Sequence, residues 1–372
     1  MKRRAFLKKA TAGTALSLGN LASTARFTAA SSPIKIGVIT QENGPHLSAY
    51  LKALAQIEGV AGVAVSDQSG ATFLKAREAL GRKMTTFRNH QEMLETFRPP
   101  MVLVSLAAHK APPLIQMSLQ AGCHVLTEKP SCVRAEDFEP LVRLAESRKL
   151  HLMMAFYMRR HPGALKALEL MRSGFIGKPF GTHLLVVADQ TRLTRPQYQQ
   201  SWLAFKNKAG GGQLIWLGIH YVDLIQKLTG DQIEKVSAIY NNVGGQPLET
   251  EDAVALTLQF KRGMVGTYHG GYYLKRGYHL GFTIWGAKGW LRLDEDNSPL
   301  EWYSTHPEAP KGVQSFPFSA ANSYQRLVQS AVNAARGEEE PPVTGAECLS
   351  TLKAIFSAYR AAETGVAQFV GL

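Results

Sequence analysis

The feature that most constrains the fold is a rhythm between residues 34 and 157. Short apolar runs alternate there with helical stretches: IKIGVIT (34–40), VAGVAVSD (60–67), MVLVSL (101–106), HVLTEKP (124–130) and LHLMMAFY (150–157). Apolar runs this short and continuous suit strands buried on both faces, and strands separated by helices pair in parallel. The pattern predicts a Rossmann-like, doubly wound α/β domain over 33–157, with ligands at the carboxyl ends of its strands.

After residue 157 the rhythm changes. PGALKALELMRSGFIG reads as a helix closed by glycine. Strand-like segments then cluster at 178–188, 233–241, 251–260, 264–274, 279–286 and 289–294, and helices return near 320–336 and 343–364. Consecutive strands predict an α+β domain over 158–372 with a large, mostly antiparallel open sheet. A chain of 372 residues exceeds one typical core, which agrees with two domains. A ligand site is expected between them.

The first thirty residues stand apart. MKRRAFLKKATAGTALSLGNLASTA has a basic start, a short and mildly apolar stretch, and then small residues, which is secretory signal architecture. The stretch is too short to span a bilayer, so no stable membrane anchor is expected. Arg3–Arg4 followed by AFLK resembles the twin-arginine export signal. A basic tail without targeting function is the plainer alternative. The export reading sets residues 1–30 outside the fold, places the protein in the periplasm or otherwise outside the cytoplasm, and makes the twin-arginine translocase a transient partner. That route carries folded proteins. A dinucleotide exported this way would be tightly bound and regenerated within each catalytic cycle.

The formal net charge is +13, but six basic residues and no acid fall in this first segment. The remaining positive charge is scattered, which argues against a nucleic-acid partner. Cys123, Cys132 and Cys348 lack any CxxC spacing, so neither a metal site nor a disulfide framework is expected.

A dinucleotide fold carries a GxGxxG turn after its first strand. Here the chain reads GVITQENGPHLSAYL: Thr40, Gln41 and Glu42 stand in place of the glycine turn, and Gly44 remains. Gly44 and Pro45 can open a helix, with His46 at its start, whose amides suit a phosphate. Thr40, Gln41, Gly44 and His46 are therefore candidate cofactor contacts. Asp67, at the end of the second strand, sits where an acid bonds a ribose 2′-hydroxyl, which favours NAD over NADP. It can equally cap the next helix.

HVLTEKP and GGGQLIWLGIHYVD (210–223) together resemble the Gfo/Idh/MocA oxidoreductase family. SLAAHKAPPLIQMSLQAGCHVLTEKP, AFYMRRHPGALKALELMRSGFIGKPFG, EDAVALTLQFKRGMVGTYHGGY and TGAECLSTLKAIFSAYRAAETG extend the resemblance over about residues 34–366. It implies bound NAD or NADP. It also implies that Lys129 lies beside the nicotinamide and the reacting hydroxyl, with Glu128 next to it at the cofactor and Pro130 in a cis bond. Burial and an oxidised nicotinamide would both lower the Lys129 pKa, so that it accepts the proton leaving a hydroxyl.

His220 matches the family's histidine that contacts the sugar and assists proton transfer. A core histidine satisfied by backbone is the plainer alternative. The three glycines ahead of it read as a turn that lets backbone pass close to ligand. The family usually keeps an aspartate four residues before the histidine, and here Trp216 stands there. Indole is a donor only, and offers instead a flat face for a sugar ring. His109 at the nucleotide edge, with Tyr157 and Arg159 at the domain junction, completes the candidate set. Tyr272, Tyr273, Asp189, Arg192 and Arg195 are weaker candidates.

Three functions follow as expectations. The first is an exported NAD(P)-dependent oxidoreductase acting on a carbinol of a sugar or polyol. The second is a redox-neutral glycosidase or lyase working through a transient keto-sugar. The third is a non-catalytic sugar- or nucleotide-binding relative. The resemblance also implies a homo-oligomer.

Overall fold

The computed structural model describes residues 32–81, 84–293 and 298–371. The export segment expected over residues 1–30 lies outside the described residues. So does Asp294 at the end of the strand expected over 289–294.

The first half alternates strand and helix: β1 (Ile34–Thr40), α1 (Leu47–Leu54), β2 (Val60–Ser66), α2 (Phe73–Leu80), β3 (Met84–Phe87), α3 (His90–Thr96), β4 (Met101–Ser105), α4 (Ala111–Gln120), β5 (His124–Thr127), α5 (Ala135–Ser147) and β6 (Leu152–Met154). The strands form one parallel sheet in the order β3-β2-β1-β4-β5-β6. All five residues of β4 are buried, as covering on both faces requires. β3, MTTF, was not expected. It is an edge strand, only half-buried, so it lacks the apolar run that marks its neighbours.

The second half holds α6 (Pro162–Arg172), β7 (Pro179–Asp189), α7 (Pro196–Gln199), α8 (Lys206–Ala209), α9 (Ile219–Thr229), β8 (Ile233–Asn241), β9 (Ala253–Phe260), β10 (Val265–Leu274), β11 (His279–Gly286), β12 (Gly289–Leu293), β13 (Leu300–Ser304), β14 (Gln314–Phe316), α10 (Ser323–Ala335), α11 (Gly345–Thr364) and β15 (Gln368–Phe369). The sheet order is β14-β13-β12-β11-β7-β10-β9-β8-β15, and its pairs are antiparallel except β7 with β10. In β9 every second residue faces inward, the alternation of a sheet covered on one side.

The closing helices return to the first sheet. α10 packs on α1, and α11 packs on α5 and β6 as well as on α9 and β8. Chain order had assigned both wholly to the second domain. In three dimensions α11 joins the two sheets and α10 packs on the first domain. No helix among the described residues is long and apolar enough to cross a membrane. The three cysteines are free and buried.

Candidate active site

The order of the first sheet reverses between β1 and β4, so the crevice beyond their carboxyl ends is where a ligand of this fold sits. The turn after β1 is knotted to β4. Thr40 Oγ1 donates to the Ser105 carbonyl at 3.1 Å, and Ser105 Oγ donates to the Pro45 carbonyl at 2.8 Å. Gly44 closes the knot: a Cβ there would lie 2.4 Å from Thr40 Oγ1 and 2.8 Å from the Ser105 carbonyl. Its smallness is spent on packing the turn itself. Glu42 points to solvent, so it does not oppose a phosphate. The first turn of α1 has no side-chain cap, and the buried Gln41 Oε1 has no partner. Gln41 Oε1 is an acceptor and suits a hydroxyl of a nucleotide; the helix start suits its phosphate, although Leu47 N already bonds the Gly44 carbonyl at 3.2 Å and Ala49 N the His46 carbonyl at 2.9 Å.

Asp67 turns inward. One carboxylate oxygen accepts Ser69 N at 3.0 Å and Ser69 Oγ at 2.8 Å; the other accepts Thr72 N at 3.0 Å and Thr72 Oγ1 at 2.9 Å. Burial works against its charge, but these bonds outweigh burial and hold the carboxyl below its usual range. Neither reading is met as stated: Asp67 caps its own loop just ahead of α2, whose first turn has no side-chain cap. The argument for NAD over NADP from this residue loses its geometric basis.

His46 begins α1 with φ 55°. Its ring stacks on Trp216 at 5.6 Å, and its Nδ1 lies 3.1 Å from Glu128 Oε1. Glu128 is buried and also accepts the Tyr50 hydroxyl. This carboxylate therefore ties α1 to the end of β5. His109 Nδ1 reaches the Lys208 carbonyl at 3.2 Å, a bridge between the two domains.

Lys129 follows Glu128, with a cis bond to Pro130. Only 2% of it is exposed. Its ammonium donates to the Trp216 carbonyl and lies 3.6 Å from the centroid of the Trp216 ring. Burial lowers its pKa, Glu128 opposes that shift, and Arg192 adds to it, leaving the group at about 7.

The helix carrying Trp216 and His220 is built with unusual care. Leu214–Gly218 forms a wide π-type turn that runs directly into α9. Such turns release backbone groups and recur at functional sites. Here the carbonyl of Trp216 accepts Lys129, so the backbone supplies the acceptor that indole lacks. Trp216 and His220 also face different neighbours. Trp216 meets His46 and Trp202, while His220 stands edge-on to Tyr157 at 4.7 Å. Lys129 and His46 lie against Trp216, and the charges of both are also felt at His220.

His220 is 4% exposed, and its Nδ1 has no partner. Burial, then Lys129 and His46, push its pKa well below the usual value, so the ring is neutral. An unpaired buried ring nitrogen is costly. At the junction of two domains it reads as a contact kept for a ligand.

The glycines before this helix face protein. A Cβ on Gly212 would lie 2.0 Å from the Glu251 carbonyl, and one on Gly211 2.1 Å from the Tyr359 hydroxyl. This corrects the expectation that they approach ligand. The close approach lets Glu251 cap the helix: its carboxylate accepts Gly212 N at 2.6 Å, Leu214 N at 3.0 Å and the Tyr359 hydroxyl at 2.8 Å. Gln213 anchors the first turn to the sheet, donating to Val186 O at 2.9 Å and accepting the Tyr268 hydroxyl at 2.9 Å.

Arg159 is likewise not free for substrate. It grips Asp223 of α9 through two bonds of 2.8 and 2.7 Å, and reaches Glu347 at 2.9 Å. Its buried charge is matched within the protein, on the side of α9 that meets α11. Tyr157 does stand at the site, between His220 and Tyr324. Sequence reasoning missed Tyr324, which opens α10 and touches His46, Tyr50 and Tyr157. It also missed Trp202, whose ring meets Trp216 edge-on at 5.7 Å. Neither lies in a motif. Only the return of α10 onto α1 brings Tyr324 in.

Lys129, His220, Trp216 and Glu128, all buried, thus form one cluster where the two domains meet, with half-buried Tyr157 and the more exposed His46 at its rim. Comparison with known proteins supports the two-domain architecture. Residues 36–156 match the model described as "Oxidoreductase family, NAD-binding Rossmann fold", and 164–292 match the "GFO/IDH/MocA C-terminal domain". The chain is 24% identical over 252 residues to a 1,5-anhydro-D-fructose reductase of Ensifer adhaerens, covering 67% of this chain and 73% of that one. An oxidoreductase domain protein from Kribbella flavida superposes with TM-score 0.82 at 22% identity, over 92% of this chain and 100% of that one. A levoglucosan dehydrogenase solved with NADH and levoglucosan gives TM-score 0.82 at 16% identity, over the same shares, 92% and 100%. With a model matched on each of its two domains, the chain belongs to the Gfo/Idh/MocA oxidoreductase family, its first domain an NAD-binding Rossmann fold.

Proposed function

We propose that the protein is an exported NAD-dependent dehydrogenase acting on a carbinol of a sugar or polyol, with Lys129 and His220 handling the proton. The observation that carries this is Lys129: a buried amine at the carboxyl edge of the parallel sheet, its pKa near neutrality, held on a backbone carbonyl. The sugar or polyol class is supported by the name of the Ensifer relative, a reductase of an anhydro sugar.

The acceptor at Gln41 Oε1 fits a hydroxyl of a dinucleotide, the uncapped first turn of α1 fits its pyrophosphate, and Lys129 with His220 fits its reactive end. Bound nicotinamide supplies the hydride acceptor or donor. The protein supplies proton handling. Neutral Lys129 accepts the hydroxyl proton as the carbinol is oxidised, and returns it in the reverse direction. The carbonyl of Trp216 stays an acceptor in both states, so Lys129 keeps its position whether or not it is charged. Neutral His220 orients the same hydroxyl through a ring nitrogen. Trp216 shields the ammonium from water and adds a cation–π contact when it is charged.

The test is direct. Mature protein is denatured and the released dinucleotide measured; the native protein is then offered sugars and polyols with NAD, and absorbance at the NADH band is followed. Stoichiometric NADH formation supports the reading. Aglycone release from a nitrophenyl glycoside without net NADH overturns net oxidation, and a chain that neither retains nor binds NAD or NADP overturns both enzyme readings. For export, the support is the Arg3–Arg4 segment. Replacing both arginines by lysine should trap the protein in the cytoplasm. Unchanged fractionation would refute export by that route.

A further inference from the structure

We infer that Arg192 and Tyr272 form an anion-binding arm of this site, and that its substrate is a sugar carrying a carboxylate or phosphate group. The inference deepens the dehydrogenase reading and rests on it for the identity of the site.

The observations lie on one loop and one strand. Arg192 follows β7, in a loop tied to the end of β10 by Gln190 N on the Leu274 carbonyl at 2.8 Å. Leu193 is buried against Ala188 and Tyr272, and Tyr198, Leu217 and Leu248 pack around them. Leu217 belongs to the π turn and adjoins Trp216, and Trp202, further along the loop, touches the Trp216 ring. The loop is therefore a fixed wall of the site. Electrostatics agree, since the charge of Arg192 is felt at Lys129.

Two groups on this wall have unused hydrogen-bonding capacity. The guanidinium of Arg192 stands 5.3 Å over the Tyr272 ring and donates to the Tyr278 hydroxyl at 3.2 Å. A guanidinium has five N–H donors, so most remain available. Among the described residues no carboxylate lies within ion-pair distance of Arg192. The acid nearest in sequence, Asp189, uses one oxygen on Thr191 N at 2.7 Å. Tyr272 is 3% exposed and its hydroxyl has no partner. An orphaned buried phenol is costly, and Arg192 is a half-buried cation with no ion pair, felt by Asp189 only at a distance. Both are satisfied by one ligand: an anionic oxygen group that accepts from the guanidinium fork and from the phenol. Carboxylate and phosphate share that chemistry.

The test is calorimetric titration of NAD-loaded mature protein with D-glucuronate, D-glucose 6-phosphate and D-glucose. At least one charged probe should bind about tenfold or more tightly than glucose, the scale of a hydrogen bond to a charged group. Which one does separates carboxylate from phosphate. Arg192→Gln should abolish the preference while NAD binding persists. Tyr272→Phe, which removes one oxygen and no packing, should reduce it severalfold. Equal affinity for charged and neutral probes, or no binding of either charged probe, overturns the arm. Failure of the dehydrogenase reading looks different: the charged preference persists, but no sugar yields NADH.

Discussion

The two edges of the site solve the same problem in opposite ways. At the nucleotide edge, side chains are consumed locally: Thr40, Gly44 and Ser105 knot the turn, and Asp67 spends both oxygens on its own loop. What remains for a ligand there is backbone and the single acceptor Gln41 Oε1. At the substrate edge, the helix is held from outside by Glu251 at its start and by the Arg159–Asp223 pair on its flank. Its ligand-side groups are left unspent, His220 Nδ1 foremost. The difference teaches that a residue's position in a motif says where its backbone is. Its role depends on whether its polar atoms are already engaged.

The largest break in this comparison is at Lys129, where the edges meet. Lys129→Ala should lower turnover by about 10²- to 10⁴-fold, the range for losing a positioned acid–base group. Dinucleotide affinity should stay within a few-fold, because Lys129 stands at the reactive end and takes no part in the turn after β1 that holds the rest of the nucleotide. Steady-state kinetics and fluorescence titration with NADH separate the two. A variant that turns over normally would remove Lys129 from the chemistry.

Next in size is Glu251. Glu251→Ala leaves two helix amides and the Tyr359 hydroxyl without their acceptor, at a cost of about 3 kcal/mol or more for groups so buried. The expected result is a clear fall in thermal midpoint together with weaker substrate binding, since the helix bearing Trp216 and His220 loses its anchor. Burial raises the Glu251 pKa against the bonds it accepts. A raised folded-state pKa means that this group favours the fold as the pH falls and opposes it as the pH rises, so the variant should also lose that pH dependence.

Asp67 sharpens the contrast from the other edge. As a loop cap it predicts that Asp67→Ala costs about 1–2 kcal/mol of stability. NAD affinity should move less than about threefold, below the ~1.4 kcal/mol that makes a tenfold change. A ribose contact predicts the reverse: an intact melting curve and affinity down tenfold or more. Thermal melting and NAD titration on one preparation decide between them.

How much of this was legible in the sequence follows the same division. The parallel sheet was, because strands buried on both faces leave apolar runs such as MVLVS. The edge strand MTTF was not, because an edge needs no such run. Lys129, His220 and Trp216 were found by motif. What holds them was not: Arg159 meets Asp223 across 64 residues of chain, and Tyr324 reaches the site only through the fold of α10 onto α1. For Asp67 the deciding signal was present, in the hydroxyls of Ser69 and Thr72 just downstream, but a cap and a ribose contact use the same acid. The π turn at Trp216 has no residue signature at all. It changed the meaning of the tryptophan, from a lost acid to a residue whose carbonyl does part of the acid's work.

That last point yields the finest test. In the parent, Lys129 rests on a neutral carbonyl and titrates at about 7, so oxidation should rise with pH through that value and reduction should fall. Trp216→Asp keeps the backbone carbonyl and adds a carboxylate beside the ammonium. An opposite charge at that distance favours the protonated amine, raising the Lys129 pKa by about one unit or more. The rising limb of the oxidation profile should then move up by the same amount, while reduction extends to higher pH. The indole's cover is lost too, which lets in water and works in the same direction, toward the charged form. A Trp216→Phe control keeps an apolar cover without the carboxylate, and its limb should stay within a few tenths of a unit of the parent. If Trp216→Asp leaves the limb at about 7, Lys129 is not the group that titrates, and the proton must be handled elsewhere in the cluster.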